Sequence, residues 1–493
     1  MLFVVQLHLQ HGDCVVIRLS NNAFIRHVAE ESIIWCPQTG GCTVMRDARP
    51  ILEEVTQDWR SEEEIVRVVA AKFEADAEDV KEGVEGVFEE LVKQRFVEVK
   101  STGETSVVPI AGSASVGETP VAAENGQDIC EENASQVEEF FVRHRIATEF
   151  HIDLTDACTE RCVHCYVPKG QKHFLSVELV EKALREFRAM NGLTVHLTGG
   201  EAMMHPDFER ICRKCVEQNL NFIIFSNMTL CDEKRIAFLK EVKPQFINVS
   251  LYSMKPEEHD AITQLPGSWQ RTMEAILKCC EAGVACRIAT PLLKENQDAL
   301  PALRKFADEH HMHLVPAAGI IAQSDHGCGN LAHACSVDEL RRVMTHDHGL
   351  FHKIYDEKMP SCDAKVCDIG GARLYLNAKG NYYPCDSMHE YVLGNVRENT
   401  VEEIWKGEKL NYLRGLKNRD FGSCANCEKR PWCKVCPAAN FNATGDLFKH
   451  HPSTCELAGV IREVYGGFRQ DLQDLTDSSP GFIQTRTQRK KKG

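Results

Sequence analysis

Residues 153–168 read DLTDACTERCVHCYVP, and the three cysteines in them, Cys158, Cys162 and Cys165, decide the reading of everything around them. Three residues separate the first pair and two the second, too close for several of the pairings that ordinary disulfide geometry permits. Structural zinc wants four ligands, and His164 is the one further candidate at a typical spacing. A four-iron cluster held by three thiolates, with one iron open to an outside ligand, accounts better for the count.

Working outward, the trio follows the strand-like EFHIDLT, and TVHLTGG, NFIIFSN, FINVSLY and ACRIATPLL continue the series with helical text such as VELVEKALREFRAM and SWQRTMEAILKCCEAG between them. That alternation predicts strand-helix units and a parallel sheet, closed or partly closed into a barrel, with its site at the carboxyl ends of the strands. Before it, residues 22–46 predict a short antiparallel sheet with a turn at Gly40 and Gly41. Three amphipathic segments follow over 50–56, 61–73 and 77–93, with a capping-box spacing from Ser61 to Glu64, and then the strand candidate RFVEVK. Residues 101–136 are rich in Ser, Thr, Gly, Ala and Glu without periodicity and read as a linker. Residues 362–455 are loop-rich and cysteine-dense, and the text after Val464 is polar and reads as a fraying tail.

The chain has 493 residues, 43% of them hydrophobic and 26% charged, which predicts a globular protein of two to four domains. A formal charge of -15 argues against an extended nucleic-acid surface, and the basic end TRTQRKKKG reads as a short solvated tail. No run is long and apolar enough to span a bilayer, and the opening residues lack the pattern of an export signal, so a cytoplasmic place and no membrane contact are expected. The 23 cysteines would then sit in a reducing compartment, where clustered thiols serve metals or redox chemistry.

The C-x3-C-x2-C spacing with Tyr166 after its last cysteine resembles the radical S-adenosylmethionine superfamily. The resemblance implies that the open iron binds S-adenosylmethionine and that a 5'-deoxyadenosyl radical takes hydrogen from substrate. TGGE at residues 198–201 resembles the family's methionine-contacting segment, implying roles for Gly199, Gly200 and Glu201. Asn227 and Ser250, at the ends of the next two strands, stand where the family places ribose and carboxylate contacts, and Arg271 is a candidate for the methionine carboxylate.

Farther on, Cys367, Gly380 and Cys385, then CANCEKRPWCKVC and Cys455, resemble the seven-cysteine SPASM extension, with one residue fewer than common between Cys433 and Cys436. With Cys362 there are eight thiolates, enough for two auxiliary [4Fe-4S] clusters: Cys362, Cys367, Cys385 and Cys436 for one, and Cys424, Cys427, Cys433 and Cys455 for the other. Alone, the C-x2-C-x5-C-x2-C run reads equally well as a zinc knuckle. Asp386 stands where sulfatase-maturing relatives place a proton-accepting acid, and a turn-capping role is its plain alternative. Cys212, Cys215, Cys279, Cys280 and Cys286 read as buried packing, and His151, His164, His205, His310 and His311 as surface or core fillers. The N-terminal unit resembles, by element order, the recognition element of enzymes that modify ribosomally made peptides, which binds a leader as an added strand.

The expected fold is thus α/β: a partial (β/α)6 barrel over 145–355, an N-terminal winged-helix-like α+β leader-recognition domain over 1–100, a linker over 101–140, a loop-rich iron-sulfur domain over 356–460 and a tail over 461–493. The resemblance implies a peptide maturase that forms thioether crosslinks, served by an electron donor such as flavodoxin or ferredoxin. Side-chain oxidation as in sulfatase maturation, carbon-carbon crosslinking or epimerisation, and a non-catalytic zinc adaptor are the alternatives.

Overall fold

The protein is described from a computed structural model over residues 15–20, 23–36, 41–94, 96–101, 140–141, 143–170, 172–346, 360–433 and 435–477. The opening strand text before residue 15, the turn at Gly40, the linker expected over 101–136 and the basic end lie outside them.

Two small sheets build the N-terminal unit. β1 (Val15–Leu19) pairs antiparallel with β5 (Arg60–Ser61) and β6 (Val97–Ser101), and β2 (Phe24–Val28), β3 (Glu31–Cys36) and β4 (Gly41–Arg46) form an antiparallel meander. Helices Arg49–Leu52, Glu62–Phe73 and Ala77–Lys93 follow, and Ile65, Val69, Val84, Phe88 and Leu91 close a core against Ile17, Ile34 and Val97. The Ser61 hydroxyl accepts from Glu64 N–H at 3.1 Å and Glu64 accepts from Ser61 N–H at 3.0 Å, so the first long helix begins on the reciprocal cap its sequence spells.

The larger sheet has nine strands in the order β12-β11-β10-β9-β8-β7-β13-β14-β15. Its barrel part is β7 (Glu149–Thr155), β8 (Thr194–Gly199), β9 (Asn221–Ser226), β10 (Ile247–Ser250), β11 (Cys286–Pro291) and β12 (His313–Ala317), six parallel strands with helices between them. Phe150, Ile152, Leu154, Val195 and Leu197 pack into the helix-covered core, which also buries Cys212, Cys215 and Cys279. The opposite face of β7 therefore carries Glu149, His151, Asp153 and Thr155, because side chains alternate along a strand.

Three features depart from the sequence reading. The sixth barrel strand, HLVPA, lies half exposed at the sheet edge and holds a proline, which an edge strand tolerates but which argues against a strand in the sequence. β13 (Arg373–Leu376), from the cysteine-rich region, pairs parallel with β7 and continues through β14 (Asn381–Tyr383) and β15 (Gly394–Asn395), so that region extends the barrel sheet. The tail expected from residue 461 is corrected over its first part: one helix, Pro452–Asp477, runs through it, and Val460, Ile461 and Tyr465 pack on Leu340 and Met344. Burial of those three apolar residues on the helix Val337–His346 outweighs the polarity of the surrounding text.

Candidate active site

Beyond Thr155 the chain leaves β7 in the loop that holds the three cysteines. The Thr155 hydroxyl donates to His173 O at 2.6 Å and accepts from Ala157 N–H at 3.0 Å, while Asp156 accepts from His173 N–H at 2.6 Å. Farther along, Arg161 and Val163 donate their N–H groups to Thr263 and Ile262 carbonyls at 2.9 Å each, tying the loop to the helix Pro256–Thr263.

Cys162 Sγ lies 3.2 Å from Glu160 Oε2 and 3.8 Å from the Tyr252 hydroxyl, and Asn227 Nδ2 lies 3.7 Å from Cys158 Sγ. Burial holds the Cys162 thiol well above its ordinary range, and negative charge on Glu160, Cys165 and Cys158 adds to the shift. Burial raises Cys165 as well. Buried thiols that oppose one another's ionisation become stable thiolates when they share a cation, so this donor set fits an iron cluster.

The glycine pair docks the end of β8 against this loop. Gly199 has φ +130°, and a Cβ on it would stand 2.1 Å from Thr155 O; one on Gly200 would stand 2.3 Å from Ala157 O. Without side chains, Gly200 N–H reaches Thr155 O at 2.7 Å and Glu201 N–H reaches Ala157 O at 2.9 Å. Glu201 is 0% exposed, and its carboxylate accepts from Met203 N–H at 2.9 Å, the Ser226 hydroxyl at 2.9 Å and Asn227 N–H at 2.7 Å. Three internal donors thus occupy this carboxylate, and Glu201 braces the end of β8 against that of β9.

Asn227 donates to the Thr159 hydroxyl at 2.9 Å and accepts from Thr229 N–H at 3.0 Å, which holds its amide beside Cys158. Ser250 ends β10 next to the buried Tyr252, and its side chain hydrogen-bonds that phenol. Arg271 lies exposed on the helix Ser268–Ala282, in a shallow depression shared with Thr229 and Glu274. Its charge reaches Glu160, a residue that spacing alone does not single out. Glu160 is 6% exposed, its Oε1 has no hydrogen-bond partner, and burial pushes its carboxyl up to about 8 against the opposing bond from Cys162.

The other wall comes from the cysteine-rich region. Because β13 and β14 continue the sheet beside β7, Tyr383 donates its hydroxyl to Asp153 Oδ2 at 2.8 Å, with His389 Nδ1 3.7 Å from the same oxygen. The ring of His389 lies 4.5 Å from that of Tyr383 and 5.5 Å from that of Tyr166. Asp153 is 7% exposed; burial raises its pKa, and the His389 charge and the Tyr383 bond oppose the rise. A cleft lined by Asp153, Thr155, Gly199, Gly200, Lys379 and His389 separates the two walls. Asp386 is exposed at its margin, 3.1 Å from Cys385 Sγ and 3.0 Å from the Ser387 hydroxyl.

The remaining cysteines fall into groups. Burial raises Cys424 and Cys433, and smaller contributions from Cys455 and Cys427 to both, and from Cys424 to Cys433, place these four thiols in one neighbourhood. Burial likewise raises Cys367, Cys385 and Cys436, with smaller contributions from Cys436 to the first two and from Asp386 to the last two, a second neighbourhood next to Asp386. Cys436 caps the helix Pro437–Thr444, its sulfur 3.4 Å from Ala439 N. Cys362 is exposed, its carbonyl held by Arg419 N–H at 3.0 Å. Among the histidines read as fillers, His205 is buried with its Nε2 2.8 Å from Leu175 O, a satisfied core position.

Residues 152–307 match the family model described as the radical SAM superfamily, and residues 367–428 match SPASM, an iron-sulfur cluster-binding domain. The chain is 24% identical over 345 residues to an AdoMet-dependent heme synthase of Methanosarcina barkeri, covering 61% of this chain and 94% of that one. In fold it is similar to Streptococcus suis SuiB bound to the precursor peptide SuiA, with a TM-score of 0.57 and 14% identity over 89% of this chain and 99% of that one. It is also similar to anSMEcpe with bound AdoMet and the Cp18Cys peptide, with a TM-score of 0.52 and 17% identity over 67% of this chain and 99% of that one. The radical SAM domain implies S-adenosylmethionine and a [4Fe-4S] cluster, and the SPASM domain implies auxiliary iron-sulfur clusters. No helix among the described residues is long and apolar enough to cross a membrane.

Proposed function

Proceeding from a chain that carries a radical S-adenosylmethionine domain followed by a SPASM iron-sulfur domain, we propose that it modifies a ribosomally made precursor peptide by joining a cysteine sulfur to a carbon of another residue. The observation that carries this reading is the pairing of β13 with β7, which sets the strands leading to Cys385 beside the strand that runs into the tricysteine loop, with a cleft between them lined by Asp153, Gly199, Lys379 and His389. The likeness to SuiB, which extends over 89% of this chain, adds support, since that protein's structure holds a precursor peptide.

In this reading Cys158, Cys162 and Cys165 hold the cluster that meets S-adenosylmethionine, with Gly199 and Gly200 admitting its methionine end and Asn227, Ser250 and Arg271 around the rest. Cys424, Cys427, Cys433 and Cys455 hold one auxiliary cluster, and Cys367, Cys385 and Cys436 with Cys362 the other. The bound group supplies an electron from a flavodoxin- or ferredoxin-class donor and a hydrogen-abstracting radical. The chain's own residues do the rest. Asp153 Oδ2, braced by Tyr383 and His389, would take the proton that a substrate thiol gives up, with Asp386 the second candidate for it; the hydrogen atom of the carbon would leave with the 5'-deoxyadenosyl radical, and the one remaining electron would pass to the auxiliary cluster that Cys385 helps to hold. Tyr166 fills the space between the walls and keeps water from the reacting carbon. The meander β2-β3-β4, whose terminal strands β2 and β4 each pair on one side, takes the leader as an added strand.

The test is an anaerobic incubation of iron-reconstituted enzyme with S-adenosylmethionine, a reductant and the product of a short cysteine-rich reading frame beside its gene. A two-hydrogen mass loss with one thiol no longer alkylatable is the expected result. Mass loss with every thiol still reactive would move the reading to side-chain oxidation or carbon-carbon crosslinking. An unchanged peptide despite cleavage of S-adenosylmethionine would overturn it.

A further inference from the structure

Glu149, His151 and His196 converge on the polar face of the barrel sheet, away from every cysteine discussed above. Sheet register builds the group. Glu149 and His151 are two residues apart on β7 and so share a face, and His196 on β8 is the direct partner of His151 in the parallel ladder. Glu149 Oε2 lies 3.6 Å from His151 Nε2 and 3.7 Å from His196 Nε2, and the two imidazole rings are 3.9 Å apart. Those separations exceed a hydrogen bond. They match the spacing of about 3.4–3.6 Å between donors that share one tetrahedral ion at 2.0–2.2 Å.

A further observation points to a ligand: His151 Nε2, the nitrogen that faces Glu149 Oε2, is buried without a hydrogen-bond partner. Unpaired imidazole nitrogens in a sheet interior are costly unless something accepts their lone pairs. We infer that Glu149, His151 and His196 form a binding site for a zinc-class divalent cation, which takes two nitrogens and one carboxylate oxygen from the chain and completes its shell with water.

Neutral imidazoles and a carboxylate are the donor set that zinc takes.

Two arginines share the neighbourhood. Arg373, opposite Glu149 in the β7–β13 register, donates its Nε to Glu149 Oε2 at 2.7 Å, which uses one lone pair and orients the carboxylate toward the histidines. Arg287 is directed elsewhere: it donates to Asn248 at 2.9 Å and lies over the Phe246 ring. Tyr375, 4.7 Å from His151, and Phe225, 5.6 Å from His196, wall the remaining sides. Three residues separate His151 from Thr155, four strand steps or about 13 Å along the strand, so this site is separate from the tricysteine loop. An ion here would clasp the feet of β7 and β8, whose other ends carry the cysteine loop and the glycine pair.

The test uses iron-reconstituted enzyme, so that the cluster thiolates are already occupied, freed of loose metal and then titrated with zinc. One zinc per chain should bind with only nitrogen and oxygen neighbours in its X-ray absorption spectrum. Cobalt in its place should show weak visible bands without thiolate charge transfer. His196→Asn and Glu149→Gln should each weaken zinc binding roughly tenfold or more, with iron content and the cluster absorbance unchanged as the check on folding. No bound zinc in the wild type, sulfur in the zinc shell, or zinc binding at the wild-type level in both variants would overturn the inference. Should one variant lose iron through misfolding, the other decides, together with the absorption spectrum of the wild type.

Discussion

Gly199 shows how a residue that does no chemistry can decide whether chemistry occurs. Its φ of +130° and the 2.1 Å left between a would-be Cβ and Thr155 O leave room for hydrogen alone. Gly199→Ala should therefore push the end of β8 off the cysteine loop, and iron analysis after reconstitution should show the loss of about one four-iron cluster. Asp153→Asn is expected to behave in the opposite way. With the buried amide still able to meet Tyr383, iron content should stay at the wild-type level while peptide modification falls about a hundredfold or more, as for loss of a general base. Running Asp386→Asn beside it asks which acid takes the proton, since the sequence singled out Asp386 and the cleft is lined by Asp153. The three cysteines and the glycine pair were legible because spacing along one loop carries their meaning. Glu160 and Asp153 were not, since burial and a partner 230 residues away at Tyr383 make them distinctive, and neither is written locally.

Among the elements, those with a local signature were the ones the sequence announced. Ser61 and Glu64 mark a helix start by their spacing, and five barrel strands stand out as short apolar or alternating stretches between helical text. β12 escaped because the proline within its half-exposed HLVPA argues against a strand away from a sheet edge, and β13 because a strand of four residues earns its place only by pairing with β7. The histidines of β7 and β8 show the same limit from another side: each was read alone as a filler, and only the ladder register sets them opposite each other. Docking of the meander on the barrel depends on Arg26, which is 1% exposed and donates to Gly192 O at 3.0 Å and Asn219 O at 2.7 Å. Arg26→Met should remove bonds of about 1.5–3 kcal/mol each from a charged donor. Hydrogen exchange should show faster opening of β2 and β3, with rates in the barrel strands unchanged.

For the whole molecule, the helix Pro452–Asp477 joins distant parts. It carries Cys455 near its start and buries Val460 and Ile461 against Leu340 and Met344. Ile461→Ala should cost about 2–5 kcal/mol, read as a lowered denaturation midpoint with iron content intact. Cys455→Ala should lose about four irons while the midpoint shift stays smaller. That pair of variants separates the packing role of the helix from its ligand role. Its polar text concealed the first role, because apolar anchors spaced along one face leave the average composition unchanged.

The seam between β7 and β13 also bears on how this chain can be cut. Cα pairing runs from Glu149 with Arg373 to Ile152 with Leu376, so the cysteine-rich portion supplies the only backbone partners β7 has on that side among the described residues. A fragment ending before residue 360 would expose a raw row of N–H and C=O groups along a strand with one wholly apolar face, an invitation to stick to its own copies. Such a truncate should elute as aggregates even where its radical-generating half is intact, and any chimaera made by exchanging the carboxyl-terminal portion must preserve that seam residue for residue.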